Sequence, residues 1–140
     1  MAGWVYVVED DDAIRGVIVD VLRDEGYRVD SASSGAAALD YLRTCGARQP
    51  DVILLDLLMP ALHGRDFATT YRQLPVSHAP VIAMSAARDA EVRAAQIGAD
   101  GLLLKPFAVG DLLQHVERHV HRTPAAAGPA PAAGAVGQPA

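Results

Sequence analysis

Val52-Ile53-Leu54-Leu55-Asp56 is the stretch on which the fold turns: four aliphatic residues in unbroken succession, then a carboxylate. A run this short, with nothing polar for either face, suits a strand covered on both sides, as strands of parallel sheets are. Four further runs resemble it: Trp4 to Val8, Arg28 to Ala32, Val81 to Met84 and Leu102 to Leu104. The intervening segments carry helical periodicity. In the first, Ile14, Val17, Ile18, Val21 and Leu22 fall at i, i+3, i+4, i+7 and i+8, with Arg15, Asp20, Arg23 and Asp24 facing outward and Gly26 as the stop. In the last, Leu112, Leu113, Val116 and Val120 face inward, against Gln114, Glu117 and Arg118 outward, which places this helix on the sheet beside the first. Five such alternations between Trp4 and His121 predict an α/β fold built on a parallel sheet.

Composition narrows the function. The chain has 140 residues, 51% hydrophobic and 21% charged, enough for one buried core and too few for two ordinary domains. A net charge of −5 with no local cluster of Lys and Arg argues against nucleic acid as a partner. The longest apolar runs fall well short of the roughly 20 residues a membrane span requires, and a basic-then-apolar leader pattern is lacking. The expected location is cytoplasmic. Cys45, the single cysteine, allows neither an internal disulfide nor a multi-cysteine metal site, and reads as structural. From Thr123 to Ala140 the chain is almost wholly Ala, Gly and Pro. Such a segment cannot bury a core. The expected organisation is one domain over residues 1–122 and a disordered tail over 123–140, with no DNA-binding or catalytic module following it.

In an open parallel sheet, ligands bind beyond the carboxyl ends of the strands. The residues there form a set: Glu9, Asp10, Asp11 and Asp12 after the first strand, Asp56 after the third, Ser85 after the fourth and Lys105 after the fifth. Each has an ordinary reading in isolation. An acidic run caps a helix, Asp56 ends a strand in a turn, Ser85 starts a helix and Lys105 is a solvated charge. Their coincidence at four strand ends is what points to chemistry. Clustered carboxylates repel unless a cation neutralises them. Magnesium, which takes oxygen ligands and is held by one or two carboxylates plus phosphate oxygens, suits Glu9, Asp10 and Asp56. Asp56 would then act as the nucleophile toward a phosphoryl donor, with Lys105 and the Ser85 hydroxyl steadying the phosphoryl oxygens.

These residues resemble the receiver domain of bacterial two-component response regulators, from Trp4 to His121. Val7-Val8-Glu9-Asp10-Asp11 is similar to the family's acidic strand end, and Leu55-Asp56-Leu57-Leu58-Met59-Pro60 followed by Gly64 to its phosphorylation segment. Met84-Ser85-Ala86 and Lys105-Pro106-Phe107 are similar to its remaining signatures. The resemblance implies a doubly wound, flavodoxin-like fold, a five-stranded parallel sheet of order 2-1-3-4-5 with five flanking helices. It implies phosphorylation of Asp56 by a histidine kinase or phosphotransfer protein, without a classical enzyme activity beyond the protein's own phosphorylation and dephosphorylation. It further implies magnesium held by Glu9, Asp10, Asp56 and the backbone carbonyl of Leu58, pairing of Lys105 with the phosphoryl group, Ser85 as a switch hydroxyl, and a cis Lys105-Pro106 bond. The downstream target would be reached by protein contact.

Three positions depart from the family pattern. Leu102 stands where an aromatic ring usually turns inward on activation, so that motion cannot operate in its usual form. Gly101 and His115 stand where charged residues often pair across a dimer, which favours a monomer or weak dimer. Leu58, an aliphatic residue two positions after Asp56, cannot orient a hydrolytic water, which implies slow loss of the phosphoryl group. A haloacid-dehalogenase-like phosphatase would need an Asp at position 58, and a Rossmann-type binder would need glycines where Glu9 to Asp12 stand. The remaining alternative is a receiver-fold binding module that is not phosphorylated. His115 and His119, at i and i+4, lack a third metal ligand and read as a solvated helix face. His63 and His78 are expected in loops. Trp4 lies five strand residues, roughly 16 Å, from Glu9, so its fluorescence should report magnesium poorly.

Overall fold

The computed structural model describes residues 3–59 and 64–120. The strands are β1 (Trp4–Val8), β2 (Arg28–Ala32), β3 (Val52–Asp56), β4 (Val81–Ser85) and β5 (Gly101–Leu104). They alternate with α1 (Asp12–Asp24), α2 (Gly35–Cys45), α3 (Gly64–Gln73), α4 (Ala90–Gln96) and α5 (Val109–Val120). All neighbouring strands run parallel, in the order β2-β1-β3-β4-β5. This is the expected doubly wound, flavodoxin-like sheet. The expected tail over 123–140, and His63, lie outside the described residues.

The unbroken apolar runs follow from the two-sided covering of the sheet. Ile53 and Leu55 of β3 point into a layer with Leu42 of α2, Phe67 and Tyr71 of α3, and Ala94 of α4. Val52 and Leu54 point the other way, into a layer with Ile18, Val19 and Leu22 of α1 and Leu112 and Val116 of α5. All four β3 residues are fully buried. Burial of each aliphatic side chain contributes roughly 1.5–3 kcal/mol relative to exposure, so this strand anchors both layers.

Three expectations need correction. The buried line of α1 is Ile18, Val19 and Leu22, whereas Ile14 is 36% and Val17 61% exposed. A 3.6-residue period fits two adjacent stripes, and the sheet selects the one running through Arg15, which is largely shielded from solvent. His119 of α5 is buried rather than solvated, and its Nδ1 lies 2.8 Å from the carbonyl of His115. The face of α5 on the sheet is therefore wider than its aliphatic residues alone suggest. The strands β3 and β4 each run one residue further than the apolar pattern, and β5 starts one residue earlier, at Gly101, so that Asp56 pairs with Met84, Ser85 with Leu104 and Gly101 with Ile82 inside the ladder. Gly26 ends α1 as expected. With φ at +95° it takes a conformation that L residues rarely adopt, and its amide donates to the Arg23 carbonyl at 2.9 Å. No helix among the described residues is long and apolar enough to cross a membrane.

Candidate functional site

Parallel strands bring their carboxyl ends to one edge, so Glu9, Asp56, Ser85 and Lys105 meet there although they span most of the chain. Glu9 follows β1 directly and is tied to β2 by its amide, which donates to the Ala32 carbonyl at 3.1 Å. Asp56 and Ser85 are the last residues of β3 and β4. Lys105 follows β5, and its amide donates to the Ser85 carbonyl at 2.8 Å. The backbones of Glu9, Asp56, Ser85 and Lys105 are thus held by the sheet ladder itself.

The acidic run divides its labour. Asp11 caps α1, its carboxylate accepting from the Ile14 amide at 2.9 Å. Asp12 is exposed and pairs with Arg15 at 2.5 Å. Glu9 and Asp10 turn toward Asp56, and one carboxylate oxygen from each of the three lies within 4.8 Å of the others. Glu9 and Asp56 are 1% and 4% exposed, the strongest burial of any carboxylates among the described residues.

Lys105 is the ammonium in this edge. Its Nζ lies 2.6 Å from Glu9 Oε1 and 3.6 Å from Asp56 Oδ1, so it favours Glu9 while remaining within reach of the acceptor. The second Glu9 oxygen accepts from the Asp11 amide at 3.2 Å. Three carboxylates against one ammonium leave net negative charge in a buried place. Burial, followed by the hydrogen bond and the charge of Glu9, raises Asp56 from 3.8 to about 7, against the lowering pull of the Leu58 amide at 3.2 Å and of Lys105. Asp56 is thus poised to exchange its proton for a cation. The donor set fits magnesium: hard oxygens, close together and under-neutralised.

The Ser85 hydroxyl accepts from the Ala87 amide at 3.0 Å, which orients its oxygen and leaves its own hydrogen available. The Lys105-Pro106 bond is cis, as the resemblance implies. The side chain of Leu58 is 46% exposed at the mouth of the site. Leu102 is half-buried against the layer formed by α2, α3 and α4.

Arg15 is the residue that sequence reading missed. Its guanidinium donates to the Glu9 carbonyl at 2.8 Å and to Asp12 at 2.5 Å, bracing the turn between β1 and α1 from outside. Position in the first helical turn, three residues after Asp12, was the available signal, and outward periodicity hid it.

The response regulator receiver domain model matches residues 5–117, nearly the whole of the described chain. The chain belongs to the response regulator receiver domain family. Receiver domains are phosphoacceptors that bind magnesium at an acidic site and interact with histidine kinases and phosphotransfer proteins. Among curated proteins, this receiver is 36% identical over 131 residues to the alkaline phosphatase synthesis transcriptional regulatory protein SphR of Synechococcus elongatus, covering 87% of this chain and 50% of that one. It spans about half the length of that relative. Among solved structures it is similar to a putative response regulator of Chloroflexus aurantiacus, with 28% identity, TM-score 0.78, and 87% and 100% of the two chains covered. It is similar also to the receiver domain of a sensor histidine kinase from Pseudomonas aeruginosa, with 27% identity, TM-score 0.77, and 86% and 99% covered. That structure has a magnesium ion coordinated in its active-site cleft. A third, the chemotaxis protein CheY4 of Vibrio cholerae, shows 28% identity, TM-score 0.69, and 85% and 99% covered.

Proposed function

We propose that this receiver works as a single-domain response regulator, accepting a phosphoryl group on Asp56 from the phosphohistidine of a histidine kinase or phosphotransfer protein. A carboxylate oxygen of Asp56 attacks phosphorus, the P–N bond of the donor breaks, and the departing imidazole takes up a proton. Glu9, Asp10 and Asp56, with the backbone carbonyl of Leu58, would hold magnesium. When bound, that ion supplies positive charge to the phosphoryl oxygens and to the acceptor carboxylate.

The remaining roles fall to the chain's own groups. Lys105 shifts its allegiance from Glu9 toward the phosphoryl group on Asp56, a short move given that its Nζ already lies 2.6 Å from one and 3.6 Å from the other. The Ser85 hydroxyl, already oriented by the Ala87 amide, donates its hydrogen to a phosphoryl oxygen. Leu58 offers no hydrogen bond to an attacking water, so the phosphorylated state is long-lived. With Leu102 in place of a ring, the signal passes to a protein partner through repacking of an aliphatic side chain or through another surface. The protein is a cytoplasmic monomer or weak dimer in this reading.

The observation that carries the proposal is the buried Asp56 facing Glu9, Asp10 and Lys105. Incubation with magnesium and acetyl phosphate, followed by hydroxylamine treatment and peptide mapping, tests it. A hydroxylamine-labile modification on the peptide containing Asp56, formed only with magnesium, is expected. Stable labelling elsewhere, or labelling indifferent to magnesium, would refute it.

A further inference from the structure

Arg15 stands apart from the five residues to which the chemistry was assigned, yet it touches the same turn. Its Nη1 donates to the backbone carbonyl of Glu9 at 2.8 Å, and its Nη2 to the Asp12 carboxylate at 2.5 Å. One planar fork thereby spans the turn that carries both Glu9 and Asp10. The guanidinium does not reach the carboxylates of Glu9, whose two oxygens go to Lys105 and to the Asp11 amide. It holds the backbone from which those carboxylates project. Its side chain is only 20% exposed, whereas that of Asp12 is 86% exposed, so Arg15 is anchored on the Glu9 side of the bridge.

We propose that Arg15 is a positioning residue for the metal-binding turn, fixing Glu9 and Asp10 in the attitude that faces Asp56. The inference rests on the magnesium-binding reading of that cluster. Two effects of Arg15 on a cation oppose each other, and this makes the proposal decidable. As a positive charge beside three carboxylates it repels a cation, so its removal should tighten magnesium if charge were its whole contribution. As a brace it pre-organises two ligands, so its removal should loosen magnesium, as the loss of groups that orient metal ligands does by roughly 10–100-fold. A guanidinium reaching both Glu9 and Asp12 commits two donors in a fixed plane, which a lysine cannot reproduce.

The experiment is isothermal titration of the metal-free protein with magnesium chloride, comparing wild type, Arg15→Ala, Arg15→Lys and Asp12→Asn. Amide hydrogen exchange at Asp11 is measured on the same metal-free samples. Weakening of magnesium by about tenfold in Arg15→Ala, with partial recovery in Arg15→Lys and faster exchange at Asp11, is the expected result. Asp12→Asn, which keeps the Glu9 half of the bridge, should weaken binding less than Arg15→Ala. Tighter or unchanged binding in Arg15→Ala would overturn the proposal, even if the variant were less heat-stable. Wild-type protein that does not bind magnesium would instead refute the functional reading beneath it.

Discussion

The carboxyl ends of β1 and β3 and the seam between β5 and α5 are built on opposite terms. At the first, charged groups are buried and almost every polar atom is committed: Glu9 to Lys105 and the Asp11 amide, Asp56 to the Leu58 amide, Ser85 to the Ala87 amide. At the second, His115 lies against Gly101 so closely that a Cβ there would sit 3.0 Å from the ring nitrogen, and that buried Nδ1 has no hydrogen-bond partner. Leu102 is next in line on the same strand. The site is held by hydrogen bonds around an excess of negative charge, the seam by fit. The Asp56 edge and the β5–α5 seam are therefore separable parts of one fold, and mutations should be able to damage either without the other.

Lys105→Ala should produce the largest change. It removes the ammonium between Glu9 and Asp56, and phosphorylation by acetyl phosphate should slow by about 10²–10³-fold, the typical effect of deleting a group that stabilises transition-state charge. In metal-free protein the same variant should lose about 3–5 kcal/mol in urea unfolding, because the Glu9 carboxyl is left in a buried place without its partner. Slowing with no loss of stability would mean that the Glu9 pair contributes little to the fold.

Asp56→Asn should act in the opposite direction, raising metal-free stability at pH 8 by about 1–3 kcal/mol by removing a buried carboxylate from a negative cluster. The pH dependence gives the sign. Asp56 moves from 3.8 unfolded to about 7 folded, so between those values the native state holds a proton that the unfolded chain has lost. Its contribution to stability is therefore greatest in acid and falls as pH rises toward 7. The advantage of Asp56→Asn over wild type should grow across that interval and shrink when magnesium is added. An advantage that is the same at pH 5 and pH 8 would contradict the burial argument.

At the seam, Gly101→Ala should cost about 1–3 kcal/mol through collision with His115, while leaving the rate of phosphorylation at Asp56 within a factor of two of wild type. Parallel loss of rate and stability would dissolve the contrast between the two regions. The smallest effect should be that of His115 on pH dependence. Burial, then the charges of Arg118 and His119, hold its pKa below the ordinary 6.5, against a weaker upward pull from Asp111. The unfolded chain therefore takes up a proton first as pH falls through 6.5, and the contribution of His115 to stability declines on the acid side. This is the reverse of the slope from Asp56, so His115→Gln should flatten the acid limb of the stability profile while Asp56→Asn alters the limb approaching neutrality.

The sequence exposed one of these regions far better than the other, for physical reasons. Strands covered on both faces must be short and apolar, so Val52 to Leu55 and its counterparts were plain to read, and a parallel sheet gathers whatever follows them. That rule by itself singles out Glu9, Asp10, Asp56, Ser85 and Lys105, without the resemblance. What the pattern could not resolve was rotation about a helix axis. The stripe through Ile14, Val17 and Val21 and the stripe through Arg15, Ile18 and Leu22 fit one period equally, and only contact with the sheet separates them. Arg15 was missed for this reason, and His119 because the buried face of α5 is wider than its aliphatic residues. Nor can spacing state which acid a lysine prefers, and the short Lys105–Glu9 pair emerged only from the geometry.

Intact mass after incubation with acetyl phosphate and magnesium, run side by side on wild type and Asp56→Asn, tests the central claim most directly. The account expects wild type to gain the mass of one phosphoryl group, to lose it when magnesium is chelated beforehand, and Asp56→Asn to gain nothing. An unmodified wild type, or equal modification of Asp56→Asn, would contradict it.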